Sequence, residues 1–126
     1  MKALSVRQPW AWMIIYGGKN IENRSWNTGY RGPLLIHASK TVERDAHEYL
    51  LIHGHELPAL NQLQTGGIVG MAELLAVHQP GDMCANAWHE QDQYGFHLVK
   101  RQALPFRAYK GSLGLFEVEY SLETIA

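Results

Sequence analysis

Residues Ala3–Ser39 read A-L-S-V-R-Q-P-W-A-W-M-I-I-Y-G-G-K-N-I-E-N-R-S-W-N-T-G-Y-R-G-P-L-L-I-H-A-S. Lys2–Val6 has the alternation of a short strand, with Leu4 and Val6 on one face. Pro9 suits the first position of a helix, where its missing N–H is no loss. Trp10–Tyr16 then supplies an apolar helical run that Gly17 and Gly18 stop, leaving Lys19 just beyond the helix end. From Asn20 to Trp26 a period of two puts Asn20, Glu22, Arg24 and Trp26 on one face of a strand, so Glu22 and Arg24 point the same way. Asn27-Thr28-Gly29 and Gly32-Pro33 bracket Tyr30 and Arg31 as a loop, and a further strand is predicted over Pro33–Ser39.

Beyond this stretch, Thr41 is a plausible cap for a helix carrying Val42, Ala46, Tyr49, Leu50 and His53 at helical spacing. Residues 54–66, with Gly54, Pro58 and several amides, predict a loop or a loose helical turn. Gly67–His78 is apolar in both alternate sets, the pattern of a buried strand, and Glu73 interrupts one set with a carboxylate. A carboxylate in such surroundings needs a partner, or its pKa rises. Residues 79–93 form a long irregular excursion containing Cys84, Trp88 and His89. Tyr94–Val99 and Gly111–Tyr120 return to strand-like sequence, with Leu104-Pro105-Phe106 as a connecting turn. Strands dominate the order, which fits a small mixed α+β domain; at 126 residues a single domain spanning 1–126 is expected.

Net charge is −1 and 46% of residues are hydrophobic, as in a globular protein, and no polybasic segment occurs. The charge is uneven. Residues 1–42 hold six cations (Lys2, Arg7, Lys19, Arg24, Arg31, Lys40) against the single carboxylate Glu22. That polarity favours a small anionic or nucleotide-like ligand over a long phosphate track, and is equally compatible with no nucleic acid. Cys84 is the lone cysteine, so an intrachain disulfide and a cysteine-based zinc site are both excluded, and a reducing, cytoplasmic setting is expected. No apolar run approaches a membrane span and no secretory leader is legible, so no membrane partner is expected. The segment Gly66-Gly67-Ile68-Val69-Gly70 runs into a strand rather than a helix, so ATP and dinucleotides are not expected, nor any other cofactor.

The strongest chemical candidates are Lys19, Glu22 and Glu73. A buried carboxylate of raised basicity takes a proton from water, while an ammonium steadies the oxyanion formed when water attacks a carbonyl. The competing reading is an ordinary Lys19–Glu22 surface pair, with Glu73 neutralising an arginine such as Arg24. Arg7, Arg24, Trp26, Tyr30 and Arg31 form the matching binding set, with Trp26 and Tyr30 as stacking platforms for a base. Trp10 and Trp12 read more simply as core aromatics of a short helix. Of the seven histidines, His53-Gly54-His55 hints at a metal, but no third ligand follows at a recognisable spacing; His37 and His97 lie in predicted strands and read as hydrogen-bonded core or rim residues. The serines lack a glycine-flanked nucleophile elbow.

The order L-S-V-R-Q-P-W-A, G-G-K-x-I-E-N-R-S-W, R-G-P-L-L-I-H-A-S resembles the ASCH family, a branch of the PUA-like β-barrels. G-G-I-V-G-M-A-E and K-G-S-L-G-L-F-E-V extend the likeness more loosely over the rest of the chain. The resemblance implies a PUA-like mixed β-barrel flanked by helices. It also implies a metal-free amidohydrolase that removes the acyl group from N4-acetylcytidine or related nucleosides, as some small bacterial family members do. Lys19 and Glu73 match that branch, whereas its threonine three residues after the lysine is here Glu22, which argues for attack by activated water over a covalent acyl-enzyme. The alternatives are a non-catalytic RNA-binding module and a metal-independent ribonuclease. The expected partner is thus a modified nucleoside or RNA.

Overall fold

A computed structural model describes residues 1–82 and 85–120, so Cys84 and Ser121 lie outside the described residues. The elements run β1 (Lys2–Gln8), α1 (Trp10–Ile15), β2 (Ile21–Arg24), β3 (Gly32–Val42), α2 (Arg44–Ile52), a 3-10 turn (Leu60–Gln62), β4 (Gly67–His78), β5 (Tyr94–Ala108) and β6 (Leu115–Glu117). The strands form one sheet in the order β2-β5-β4-β3-β1-β6, parallel only between β1 and β3. With its two helices this is the α+β, PUA-like, barrel-like fold.

Alternation sorts the residues of each strand onto two faces, and packing makes one of them internal. Leu4, Val6, Leu34, Ile36, Ala72, Leu74, Phe96 and Leu98 meet in one buried cluster, which also takes Ala11 and Ile14 from α1. Ala3, Leu35, Ile68, Leu104 and Val118 make a second cluster on the outer face of the same strands. Burying both faces of β1, β3 and the start of β4 explains their nearly continuous apolar sequence.

Two short devices fix the entry and exit of α1. Gln8, only 2% exposed, accepts a bond from Trp12 N–H at 2.9 Å through its side-chain oxygen and donates to Gln64 O at 2.9 Å. It thereby satisfies a first-turn N–H that Pro9, at the N-cap position, cannot serve. At the other end Gly18 adopts φ +79°, and Gly17 and Lys19 both donate their backbone N–H to Met13 O. That left-handed turn reverses the chain and drops Lys19 inward.

Three local expectations are corrected. Thr41 does not cap α2: β3 continues through Val42, and Glu43 N–H donates to Gln8 O at 2.8 Å, which holds the chain extended until Arg44. The Leu104-Pro105-Phe106 turn is instead part of β5. Pro105 falls in a break of the β4–β5 register, between Ala103 and Arg107, and β2 pairs with β5 only as far as His97, so no ladder bond requires its missing N–H. Finally, only Leu115–Glu117 of the expected last strand pairs as one.

Candidate functional site: a buried ion triad beneath tryptophans

Glu22 and Arg24 stand on β2 opposite Phe96 and Tyr94 of β5, and therefore on the side of the internal cluster. The Gly17–Gly18 turn delivers Lys19 to the same place. Lys19 and Glu22 are 4% and 8% exposed. The Lys19 ammonium donates to Glu22 Oε1 at 2.8 Å and to the backbone oxygen of Ile21. Arg24 donates to the other carboxylate oxygen, Oε2, from Nε at 3.2 Å and from Nη2 at 3.0 Å. Trp10 covers the lysine, whose Nζ lies 5.3 Å from the ring centroid, within cation–π range.

Burial alone would raise the Glu22 pKa. The Lys19 and Arg24 charges and the hydrogen bonds from both outweigh it, and the carboxyl is held below its usual range. Glu22 is thus a fixed anion and a weak base at neutral pH. With three donors on four lone-pair sites, it keeps acceptor capacity on Oε1 for a ligand N–H.

Above this triad lies a cavity of about 720 Å³ lined in part by Ser5, Arg7, Trp10, Trp26 and Leu113. Trp26 is held edge-on against Phe96, with ring centroids 5.2 Å apart, so its orientation is fixed by the core. A second cavity of about 550 Å³ shares Trp10, Glu22, Asn23 and Glu43 with the first and adds Lys19, Tyr49, Trp88 and Glu90. The shared residues join the two as a polar trough with aromatic walls. The excursion after β4 builds the second half, because Asn86 Nδ2 donates to Asn20 Oδ1 at 2.8 Å, Asn23 Nδ2 to Trp88 O at 2.9 Å, and Glu90 N–H to Asn23 Oδ1 at 2.9 Å.

The expected residues divide. Lys19, Glu22, Arg24, Arg7 and Trp26 come together around the trough. Glu73 does not join them. It sits on β4 opposite Pro33, on the face of Met71 rather than that of Ala72 and Leu74, with its side chain 36% exposed and 3.7 Å from the Lys100 ammonium. The buried carboxylate expected there is absent because the outer face of β4 is covered only near its start, and Leu75 is already 54% exposed. Tyr30 and Arg31 also line neither part of the trough. The Tyr30 hydroxyl donates to Pro33 O, and Arg31 donates to Thr28 O and Tyr30 O, so both side chains brace their own loop.

Trp10, expected in the core, is instead the wall common to both cavities, whereas Trp12 on the next face lines a separate one with Tyr16 and Gln62. Trp88, Asn23, Glu43 and Glu90 also line the trough, although no motif in the sequence marks them as site residues. A tryptophan in a polar, irregular segment was the one available signal for Trp88. His53 stacks on Tyr49 at 4.0 Å, while His55 lies 5.7 Å from Trp88. Among the described residues no cluster of three or more His, Cys, Asp or Glu side chains is arranged to hold a metal ion, and no helix is long and apolar enough to cross a membrane.

The ASCH domain family model matches residues 4–120. Over 78 residues, 57% of this chain, the sequence is 36% identical to activating signal cointegrator 1 of Homo sapiens and 33% identical to the Mus musculus protein of the same name. Each match takes in 13% of the relative's length, so the chain corresponds to a small part of those proteins.

Proposed function

Starting from the premise that this chain belongs to the ASCH family, we propose that it recognises a cytidine-like nucleobase, free or exposed in RNA, in the trough over Lys19, Glu22 and Arg24. The observation that carries this reading is the Glu22 carboxylate, kept ionised by two cations beneath Trp10 and Trp26. An aromatic wall accepts the flat face of a base, and a fixed carboxylate with a spare lone pair accepts an exocyclic amino N–H. Arg7 and Arg24 supply positive charge at the same cavity for a phosphate. The excess of cations over carboxylates in residues 1–42 supports this, since the trough draws Arg7, Lys19 and Arg24 from that segment.

A second reading, hydrolysis of the N4-acyl amide of an acylated cytidine, is favoured by the buried Lys19 ammonium, a ready partner for an oxyanion. It places the water-activating role elsewhere than on Glu22, whose basicity is lowered, or on Glu73, which faces away.

The test is titration with cytidine, N4-acetylcytidine and oligoribonucleotides of increasing length, followed by tryptophan fluorescence and by mass analysis of products. Saturable quenching by the nucleosides supports base recognition. Release of cytidine and acetate adds the hydrolytic reading. If only long oligomers bind, with a steep salt dependence, the trough is not a base pocket and the contact is with the backbone.

A further inference from the structure

With their side chains on the outer face of the sheet, Ser5 of β1 lies directly beside His37 of β3, the two strands running parallel. Ser5 Oγ and His37 Nδ1 are 3.0 Å apart, and His37 Nε2 is 2.6 Å from the backbone oxygen of Tyr109. A carbonyl only accepts, so Nε2 carries the proton in the neutral imidazole; Nδ1 is then an acceptor and the Ser5 hydroxyl donates to it. The ring is 2% exposed and is held edge-on by Phe116, with centroids 5.8 Å apart. A nucleophile bonded to a base, and that base oriented by a third group, is the arrangement that activates a serine.

The pair opens to space. Ser5 and His37 line a cavity of about 400 Å³ with Lys40, Tyr109, Lys110 and Gly111, and Ser5 also borders the larger trough. Gly111 makes the close approach possible: a Cβ there would lie 2.7 Å from His37 Cε1 and 3.1 Å from Ser5 Oγ. The chain therefore runs directly over the dyad without filling it.

We propose that Ser5 is an acyl-accepting nucleophile, with His37 as its base and the Tyr109 carbonyl as the positioning group, acting on small acyl esters or amides. In the first step Ser5 Oγ bonds to the carbonyl carbon as the carbon–oxygen or carbon–nitrogen bond of the substrate breaks. The hydroxyl proton passes to His37 Nδ1 and from there to the departing oxygen or nitrogen. Water then attacks the acyl-serine, gives its proton to His37, and releases the carboxylic acid as the proton returns to Oγ. Lys40 and Lys110 are the cations of this cavity and favour the oxyanion that forms between. The assignment goes beyond base recognition and needs no part of it.

The test is a fluorophosphonate probe, in which Oγ–phosphorus bond formation displaces fluoride and the proton leaves through His37. The intact protein is expected to gain one adduct, located on Ser5 by peptide mass analysis, and S5A to gain none. S5A keeps the backbone oxygen that Arg24 uses, so it retains that contact. His37→Asn should slow labelling by about 10²-fold or more. No adduct on the folded protein, an adduct only on another residue, or equal labelling of the His37→Asn variant would each overturn the proposal. The probe carries no nucleobase, so a Ser5 adduct without nucleoside binding leaves the dyad standing and the base-pocket reading refuted.

Discussion

Arg24 Nη2 donates to the backbone oxygen of Ser5 at 2.7 Å while the same guanidinium holds the Glu22 carboxylate at 3.0 Å. β2 is one edge of the sheet, and beyond Leu4 β1 has lost its partner β6, so this bond spans the gap between the two ends of the sheet order. One side chain thereby ties barrel closure to the charge at the trough floor. A planar fork with several donors suits that double duty, and a lysine does not.

Arg24→Met is accordingly expected to lower stability by about 3 kcal/mol, because it strips Glu22 of one of its two cations and leaves the Ser5 carbonyl without its donor. Urea unfolding measures this. An unchanged midpoint would show that the guanidinium contributes neither closure nor compensation.

Acid sensitivity follows from Glu22. Its pKa is lowered in the folded chain, burial notwithstanding, by Lys19, Arg24 and their hydrogen bonds. The unfolded chain, with an ordinary glutamate near 4.3, binds the proton first as pH falls. The stabilisation is therefore complete above that value and is lost as pH drops through the lower, folded-state pKa. Glu22→Gln should flatten the acid limb of the stability profile below about pH 5; an identical slope in both proteins would contradict the assignment.

Lys19 and Glu73 should separate cleanly. Lys19→Met leaves the carboxylate with Arg24 alone and removes the ammonium from the trough, so nucleoside affinity should fall at least tenfold. Glu73→Gln removes only a half-exposed contact with Lys100, worth less than about 1 kcal/mol, and should leave affinity within about twofold of the parent. Equal losses in the two variants would return Glu73 to the site.

Tryptophans offer an internal control. Trp26→Ala is expected to weaken cytidine binding by about 1–3 kcal/mol, the usual loss of one stacking platform. Trp12→Ala, in a separate cavity, should leave it unchanged. Calorimetric titration of both decides the point, and a loss confined to Trp12→Ala would move the base to the other side of α1.

Chain-local physics made much of the site legible. A period of two was enough to set Glu22 and Arg24 on one face, since β2 is short, regular and paired without a shift. The glycine pair was enough to end α1 and place Lys19 past it. Glu73 defeats the same reasoning. In the pairing of β3 with β4, Ile36 opposes Gly70 and the next residue, His37, opposes Ile68, so Val69 is an extra residue. The bulge sends Val69 into the inner cluster and Ile68 into the outer one, and a strand read as doubly buried is covered on its outer side only near its start.

The sequence by itself determined α1 and β2, the shared face of Glu22 and Arg24, and the family, because these depend on neighbours a few residues apart. Only the tertiary structure decided which face was interior, that the Asn23 side chain binds the backbone of Trp88, 65 residues on, and that Ser5 meets His37 across a parallel strand pair. Those relations arise from register, bulges and closure, which depend on packing summed over the whole sheet rather than on any local pattern.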